Sequence, residues 1–295
     1  MGRSGGKEEH QIIPKNFGKL KTNTYLCTNF RGQLMKVKEI VSALERFAPL
    51  PLQDGFDNAG LQVGLTEAEA TGALLCLDVT EAVVDEAIAL GYNLIVSHHP
   101  LIFKGFKSIT GKDYVERCIM KAIQNNIVIY SAHTNLDNAQ GGVNYKIAEK
   151  IGLKNVQVLD PKMQGEVVAG AGVVGELTEP ETETDFLKRI KRLFEVGCLK
   201  HNRLNGRLIR KVALCGGSGA FLLPNAVEEG ADVFITGEVK YHDYFYYDNR
   251  ILVAEIGHYE SEQYTKEIFY SIIRERFPEL DVQMTRVNTN PIKYL

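Results

Sequence analysis

Seven histidines occur in this chain of 295 residues, and four of them keep chemically useful company. His98 and His99 are adjacent in Ser97-His98-His99-Pro100. His133 precedes Asp137 by four residues, and His258 precedes Glu262 by four. Imidazole and carboxylate without thiolate form a donor set for Zn, Fe, Mn, Ni or Co and disfavour an iron–sulfur cluster. A pair four apart faces one way on a helical turn, so each His/carboxylate pair can aim at a single point. Neighbouring side chains at a strand end point to opposite sides, so His98 and His99 are poorly placed to chelate one ion but can serve two. Six donors exceed the roughly three protein ligands of a catalytic zinc. They suit two divalent ions bridged by a carboxylate and a water. His10 and His201 lack such company and read as capping or surface residues.

The hydropathy pattern indicates what positions these groups. Val37, Ile40, Val41, Leu44 and Phe47 fall at helical spacing, and Pro49 and Pro51 stop that helix. Leu74–Leu77, Leu94–Val96 and Ile127–Tyr130 read as buried strands. Helices are expected over Thr80–Leu90 (capped by Thr80 and closed by Gly91), Tyr114–Asn125 and Val143–Ile151, the last closed by Gly152. Strands and helices alternating at this pace predict an α/β fold with mostly parallel sheets. In such sheets, sites form beyond the carboxyl ends of strands, where His98, His99, His133 and His258 stand.

The second half repeats the first. Leu75-Cys76-Leu77-Asp78 matches Leu214-Cys215-Gly216-Gly217, and the segment from Gly91 to His98 matches that from Gly230 to Gly237. Both offsets are 139 (215 − 76 and 230 − 91). Ile127–His133 matches Leu252–His258 at 258 − 133 = 125, and the same offset carries Asp137 onto Glu262. We therefore expect two related α/β lobes, residues 35–160 and 161–295, with the metal site between them and the C-terminal segment able to pack back on lobe one. Residues 1–34 lack periodicity and read as a disordered extension.

Composition narrows the function classes. Hydrophobic residues at 44% and charged residues at 24% describe a globular chain. The 34 basic and 37 acidic side chains leave a net charge of −3, which disfavours a dedicated nucleic-acid binder. No apolar run approaches the roughly 20 residues of a membrane span. Five widely spaced cysteines without a CxxC pair point to a reducing, cytoplasmic setting. Weaker features remain. Gly216-Gly217-Ser218-Gly219 reads equally as a phosphate cradle or a tight turn. Asp57, in a turn, and Glu238 and His242, after a strand, are candidates to face substrate. The tyrosines between Tyr241 and Tyr247 suggest a hydrogen-bonded surface or a subunit interface.

Five segments in order resemble the NIF-three-like proteins, often labelled GTP cyclohydrolase 1 type 2 homologues. They are Phe56–Gly64, Ser97–Pro100, His133–Asp137, Thr236–His242 and Gly257–Glu262, within a match from about Met35 to Leu295. The resemblance implies a two-lobed fold with a dinuclear metal site. One ion would take His98 and Asp137, the other His99 and His258, and Glu262 would bridge. His133 would stand nearby, behind the ligands or facing substrate, although its spacing by itself also allows it to be a ligand. The resemblance also implies homo-hexamers, here in a compact form without an inserted domain. The expected activity is a dinuclear metal-dependent hydrolase acting on a nucleotide-like small molecule, with a metal-bridging water as nucleophile and His133 as general acid/base. The alternative is a non-enzymatic, metal-binding ring protein acting through protein partners.

Overall fold

The computed structural model describes residues 35–164 and 167–295. The expectations for residues 1–34, and for His10 within them, lie outside the described residues.

Helix α1 (Val37–Phe47) buries Val37, Ile40, Val41 and Leu44 on one face. The Glu39 carboxylate accepts from the Lys36 N–H at 2.8 Å, which secures its first turn. There follow β1 (Gly60–Val63), β2 (Ala73–Cys76), α2 (Glu81–Leu90), β3 (Leu94–Ser97), α3 (Tyr114–Gln124), β4 (Val128–Ser131), α4 (Thr134–Asn138) and α5 (Val143–Ile151). The Thr80 hydroxyl caps α2 by accepting from the Val83 N–H. Gly91 and Gly152 end α2 and α5. The ends of the elements expected in this half fall within one residue of those observed.

The second half runs β5 (Lys154–Gln164), β6 (Val167–Thr182), α6 (Glu183–Leu193), β7 (Lys200–His201), β8 (Leu208–Cys215), α7 (Leu223–Glu228), β9 (Val233–Thr236) and α8 (Asp243–Tyr247). It closes with β10 (Leu252–Glu255), α9 (His258–Glu262), α10 (Thr265–Arg276) and β11 (Val282–Met284).

The described strands form two sheets, ordered β1-β4-β3-β2-β11 and β5-β6-β8-β9-β10-β7. In the first, β4, β3, β2 and β11 run parallel and edge strand β1 runs antiparallel. In the second, only β8, β9 and β10 are parallel, while β5/β6, β6/β8 and β10/β7 pair antiparallel. The α/β class holds, but the expectation of mostly parallel sheets fits only the first sheet. For β5/β6 the reason is connection length: β6 follows β5 almost at once, and a parallel pairing needs a crossover of about a dozen residues or more. β5 also runs through Asp160 and Pro161, where the sequence suggested a lobe boundary. β11, from the C-terminal end, lies in the first sheet beside β2.

One core fills the space between the sheets. Leu75, Val96 and Tyr130 from the first sheet and Val212, Ile235 and Ala254 from the second enclose apolar residues of α1, α5, α6 and α10. On the outer faces, α2 and α3 cover Leu74, Ile95 and Ile129, and α7 covers Ala213, Phe234 and Val253. Burial on both faces is why these strands are apolar throughout rather than alternating. Among the described residues, no helix is long and apolar enough to cross a membrane.

The register tests the repeat directly. Cys76 pairs with Ser97 and Cys215 pairs with Thr236, so both strands obey the offset of 139 (215 − 76 and 236 − 97). In the third strand, Ser97 pairs with Ser131 and Thr236 with Glu255, an offset of 255 − 131 = 124. The histidines align at 125. The second half therefore carries one extra residue between strand and histidine: Ile256 and Gly257 stand where the first half has Ala132 alone.

Candidate metal centre

The two His/carboxylate pairs lie on single-turn helices at strand ends, as their spacing predicts. His133 precedes α4, and Asp137 lies one turn later. His258 opens α9, and Glu262 ends it. His98 and His99 leave β3 directly. The expected divergence of these neighbours is not observed: their ring centroids are 5.0 Å apart and both rings join the cluster. Strand alternation stops at Ser97, whose hydroxyl donates to the His99 carbonyl at 2.9 Å and turns the chain.

Three groups of donor atoms, each within 4.8 Å of one another, result: His98/Asp137/Glu262, His99/His258/Glu262 and His98/His99/His133. The two that contain carboxylate share Glu262. His99 Nε2 and His258 Nε2 each lie 3.0 Å from Glu262 Oε2 and 3.3 Å from each other. His98 Nε2 lies 3.6 Å from Asp137 Oδ1 and 3.8 Å from Glu262 Oε1, too far for hydrogen bonding. That nitrogen is fully buried and has no hydrogen-bond partner. An orphaned buried polar atom costs about 1–3 kcal/mol, and a cation ligated by these three groups would satisfy it. The donor set therefore fits a divalent metal.

Each imidazole is oriented through its other nitrogen. His98 Nδ1 meets the Ala132 carbonyl at 2.9 Å, and His99 Nδ1 meets Asp78 Oδ1 at 2.7 Å. His133 Nδ1 meets Asp57 Oδ1 at 2.7 Å, and His258 Nδ1 meets Glu238 Oε1 at 2.9 Å. Metal-binding histidines are commonly held in this way, which selects the tautomer and directs Nε2 inward. Sequence reading missed Asp78, although it stands at the carboxyl end of β2, where the same strand-end rule would have found it.

The candidate substrate residues fall in other places. The Asp57 side chain is fully covered, with one oxygen on His133 and the other accepting from the Thr134 N–H and hydroxyl. Glu238 supports His258 and accepts from the Ser218 hydroxyl at 2.8 Å. His242 is exposed and packs against Tyr241 and Phe245 rather than lining the cavity. His201 is exposed, as its isolation suggested. The glycine loop is a tight turn rather than a phosphate cradle. The N–H groups of Gly216, Gly217 and Gly219 donate to Asn144, Ser261 and Thr236. A Cβ on Gly217, where φ is +59°, would sit 2.2 Å from Glu262 Oε1. Glycine is needed here so that Glu262 can pass.

Electrostatics match a cation site occupied by protons when metal-free. Burial and the neighbouring Glu262 charge push Asp137 up to about 8. Burial alone would also raise Glu262, but His258 and His99 outweigh it and hold its carboxyl well below the ordinary value. Burial would lower His99, yet Asp78 and Glu262 raise it to about 10. Glu262 likewise raises His258 to about 9 against its burial. Asp57 is held down to about 2, because bonds from His133 and Thr134 overcome its desolvation.

Above the cluster lies a cavity of about 660 Å³, lined by His99, His133, Asp137, His258 and Glu262 together with several aromatic rings. Fold and site thus define a two-sheet α/β protein whose histidine–carboxylate cluster can hold metal ions. The profile of the family Duf34/NIF3 (NGG1p interacting factor 3) matches residues 35–291, and the chain belongs to that family. It is 39% identical over 229 residues to a GTP cyclohydrolase 1 type 2 homolog of Clostridium perfringens, covering 77% of this chain and 87% of that one. A hypothetical protein of Staphylococcus aureus superposes with a TM-score of 0.81 at 31% identity, over 88% of this chain and 99% of that one. A Bacillus cereus protein related to NIF3 gives 0.82 at 25% identity, over 90% and 100%.

Proposed function

We propose that this protein is a dinuclear metal-dependent hydrolase of a nucleotide-like small molecule. The observation that carries the reading is that two carboxylate-containing donor groups share Glu262. His98, Asp137 and Glu262 would hold one ion, and His99, His258 and Glu262 the other. Zn, Fe, Mn, Ni and Co all suit these donors. Divalent ions in such a site supply Lewis acidity and make water acidic near neutral pH. The rest falls to the chain itself. Ionised Asp57 keeps the proton of His133 on Nδ1, which leaves Nε2 to take a proton from, or return one to, a reactant in the cavity. Asp78 and Glu238 keep His99 and His258 aligned. The name of the C. perfringens relative supports a nucleotide-like substrate.

The test is elemental analysis of the protein purified without added metal, followed by a hydrolase screen on wild type, His133→Ala and Asp137→Ala. About two ions per chain, kept by His133→Ala without turnover and reduced in Asp137→Ala, is the expected result. Equal turnover in a metal-free variant would sink the proposal.

The partner-mediated reading finds support in the exposed side chains of Tyr241, Phe245 and Tyr246, which are 65–72% accessible. Such a patch suits an interface. It fits a cytoplasmic homo-oligomer, a hexamer by resemblance, and light scattering of the purified protein decides it. Division into lobes 35–160 and 161–295 is part of the same proposal, supported by the internal repeat.

A further inference from the structure

We infer that the cavity over the cluster takes an uncharged, planar ring compound of nucleobase or nucleoside size, and that it recognises the ring rather than a phosphate chain. For the reaction this rests on the hydrolase reading above; for binding it rests on the cavity walls alone. The volume of about 660 Å³ lies within the usual span of small-molecule sites. Phe56, Phe103 and Phe221 line it and remain 74%, 52% and 61% exposed. Large rings left open to water around one concavity are apolar surface available to a flat ligand. Phe103 meets the His133 ring edge-to-face at 5.6 Å, which sets one aromatic face beside the proton-carrying imidazole.

Charge points the same way. Asp54, Asp78, Asp137 and Glu262 line the cavity, and among the described lining residues there is no Lys or Arg. Lys162, which reaches Asp54, is held in that ion pair at 3.0 Å. Most of the backbone donors that a phosphate would use, three of the four in the glycine loop among them, are occupied from within. The glycine loop gives its N–H groups to Asn144, Ser261 and Thr236, and the first N–H of α4 goes to Asp57. A triphosphate would meet no Lys or Arg, and the imidazoles of His99 and His258 that line the cavity are already paired with Asp78, Glu262 and Glu238. Its counter-charge would have to come from the ions, in competition with the ring.

The test titrates the metal-loaded full chain with guanosine, GMP and GTP at low and high salt, with metal content checked after each run. Guanosine should bind about tenfold tighter than GTP, with an affinity that does not change with salt. Phe103→Ala and Phe221→Ala should each weaken guanosine by about tenfold, as loss of base–aromatic stacking does, and should retain their metal. Both rings are exposed, so folding is not at stake. GTP binding as tightly as guanosine or tighter, or no measurable binding of guanosine, overturns the inference. Turnover in the same samples separates the two readings. Guanosine bound in preference with none of the three compounds hydrolysed removes the hydrolase and supports ring recognition. GTP hydrolysed and bound at least as tightly as guanosine keeps the hydrolase and removes ring recognition.

Discussion

The two repeat halves reach the same cluster with different equipment. Among the described residues, the first contributes His98, His99, His133 and Asp137, and the second contributes His258 and Glu262. At the offset of 139, His98 corresponds to Gly237, His99 to Glu238 and Asp78 to Gly217. Each replacement has a use. Glu238 supports His258 as Asp78 supports His99. Gly217 removes the carboxylate found at Asp78 and opens the path through which Glu262 enters. Glu262 is one methylene longer than its counterpart Asp137, and its two oxygens face His98 on one side and His99 and His258 on the other. The first half is a bank of imidazoles, and the second supplies the shared carboxylate and the room for it.

That division can be broken most severely at the shared group. On the dinuclear reading, Glu262→Gln should abolish both proposed metal positions, whereas Asp137→Asn should remove about one ion; elemental analysis of the two variants side by side tests this. Equal losses would mean that the halves are not unequal in the way described. Next in size is Gly217→Ala, which forces Glu262 aside from a left-handed backbone position and should cost about 1–3 kcal/mol in denaturant unfolding together with most of the metal.

A pH series sharpens the electrostatic side. In the metal-free protein, His99 and His258 are raised to about 10 and about 9 above an ordinary 6.5. Their stabilisation is therefore complete below about pH 6.5 and is lost as pH rises through 9 and 10. Asp137, raised from an ordinary 3.8 to about 8, adds a loss between those two values, where the unfolded carboxyl is ionised and the folded one is not. Thermal unfolding should show the metal-free form weakening from about pH 4 through Asp137, and more steeply from about pH 6.5 to 10 as the histidines join, while the metal-loaded form stays flatter; parallel curves would contradict it. The smallest effects belong to the supports. Asp78→Asn and Glu238→Gln should each weaken metal binding by about 10–100-fold in competition with a chelator. Glu238, the more exposed of the two at 59% against 34%, should have the milder effect.

Much of this was legible before folding. Helical spacing and cap residues located the elements of the first half, because burial on one face and unpaired helix ends act locally. The strand-end rule singled out His98, His99, His133, Asp137, His258 and Glu262, which the fold brings into one cluster. It did not find the role of Asp57, which comes from a distant turn yet lies beneath His133. Nor did it separate the two readings of Gly216–Gly219, because a glycine turn looks the same whether its N–H groups face a phosphate or Asn144 and Ser261.

By itself, the sequence determined the α/β class, the repeat and the kinds of donor available, since periodicity and residue chemistry are properties of the chain. Only the tertiary structure decided that Glu262 is the group both halves share. It also decided that Glu238 supports a histidine rather than facing the cavity, and that, among the described residues, aromatic rings wall the site without Lys or Arg. Those facts depend on a one-residue register difference and on contacts between residues more than a hundred positions apart. Such distances are set when the two sheets pack on one core, and no local pattern records them.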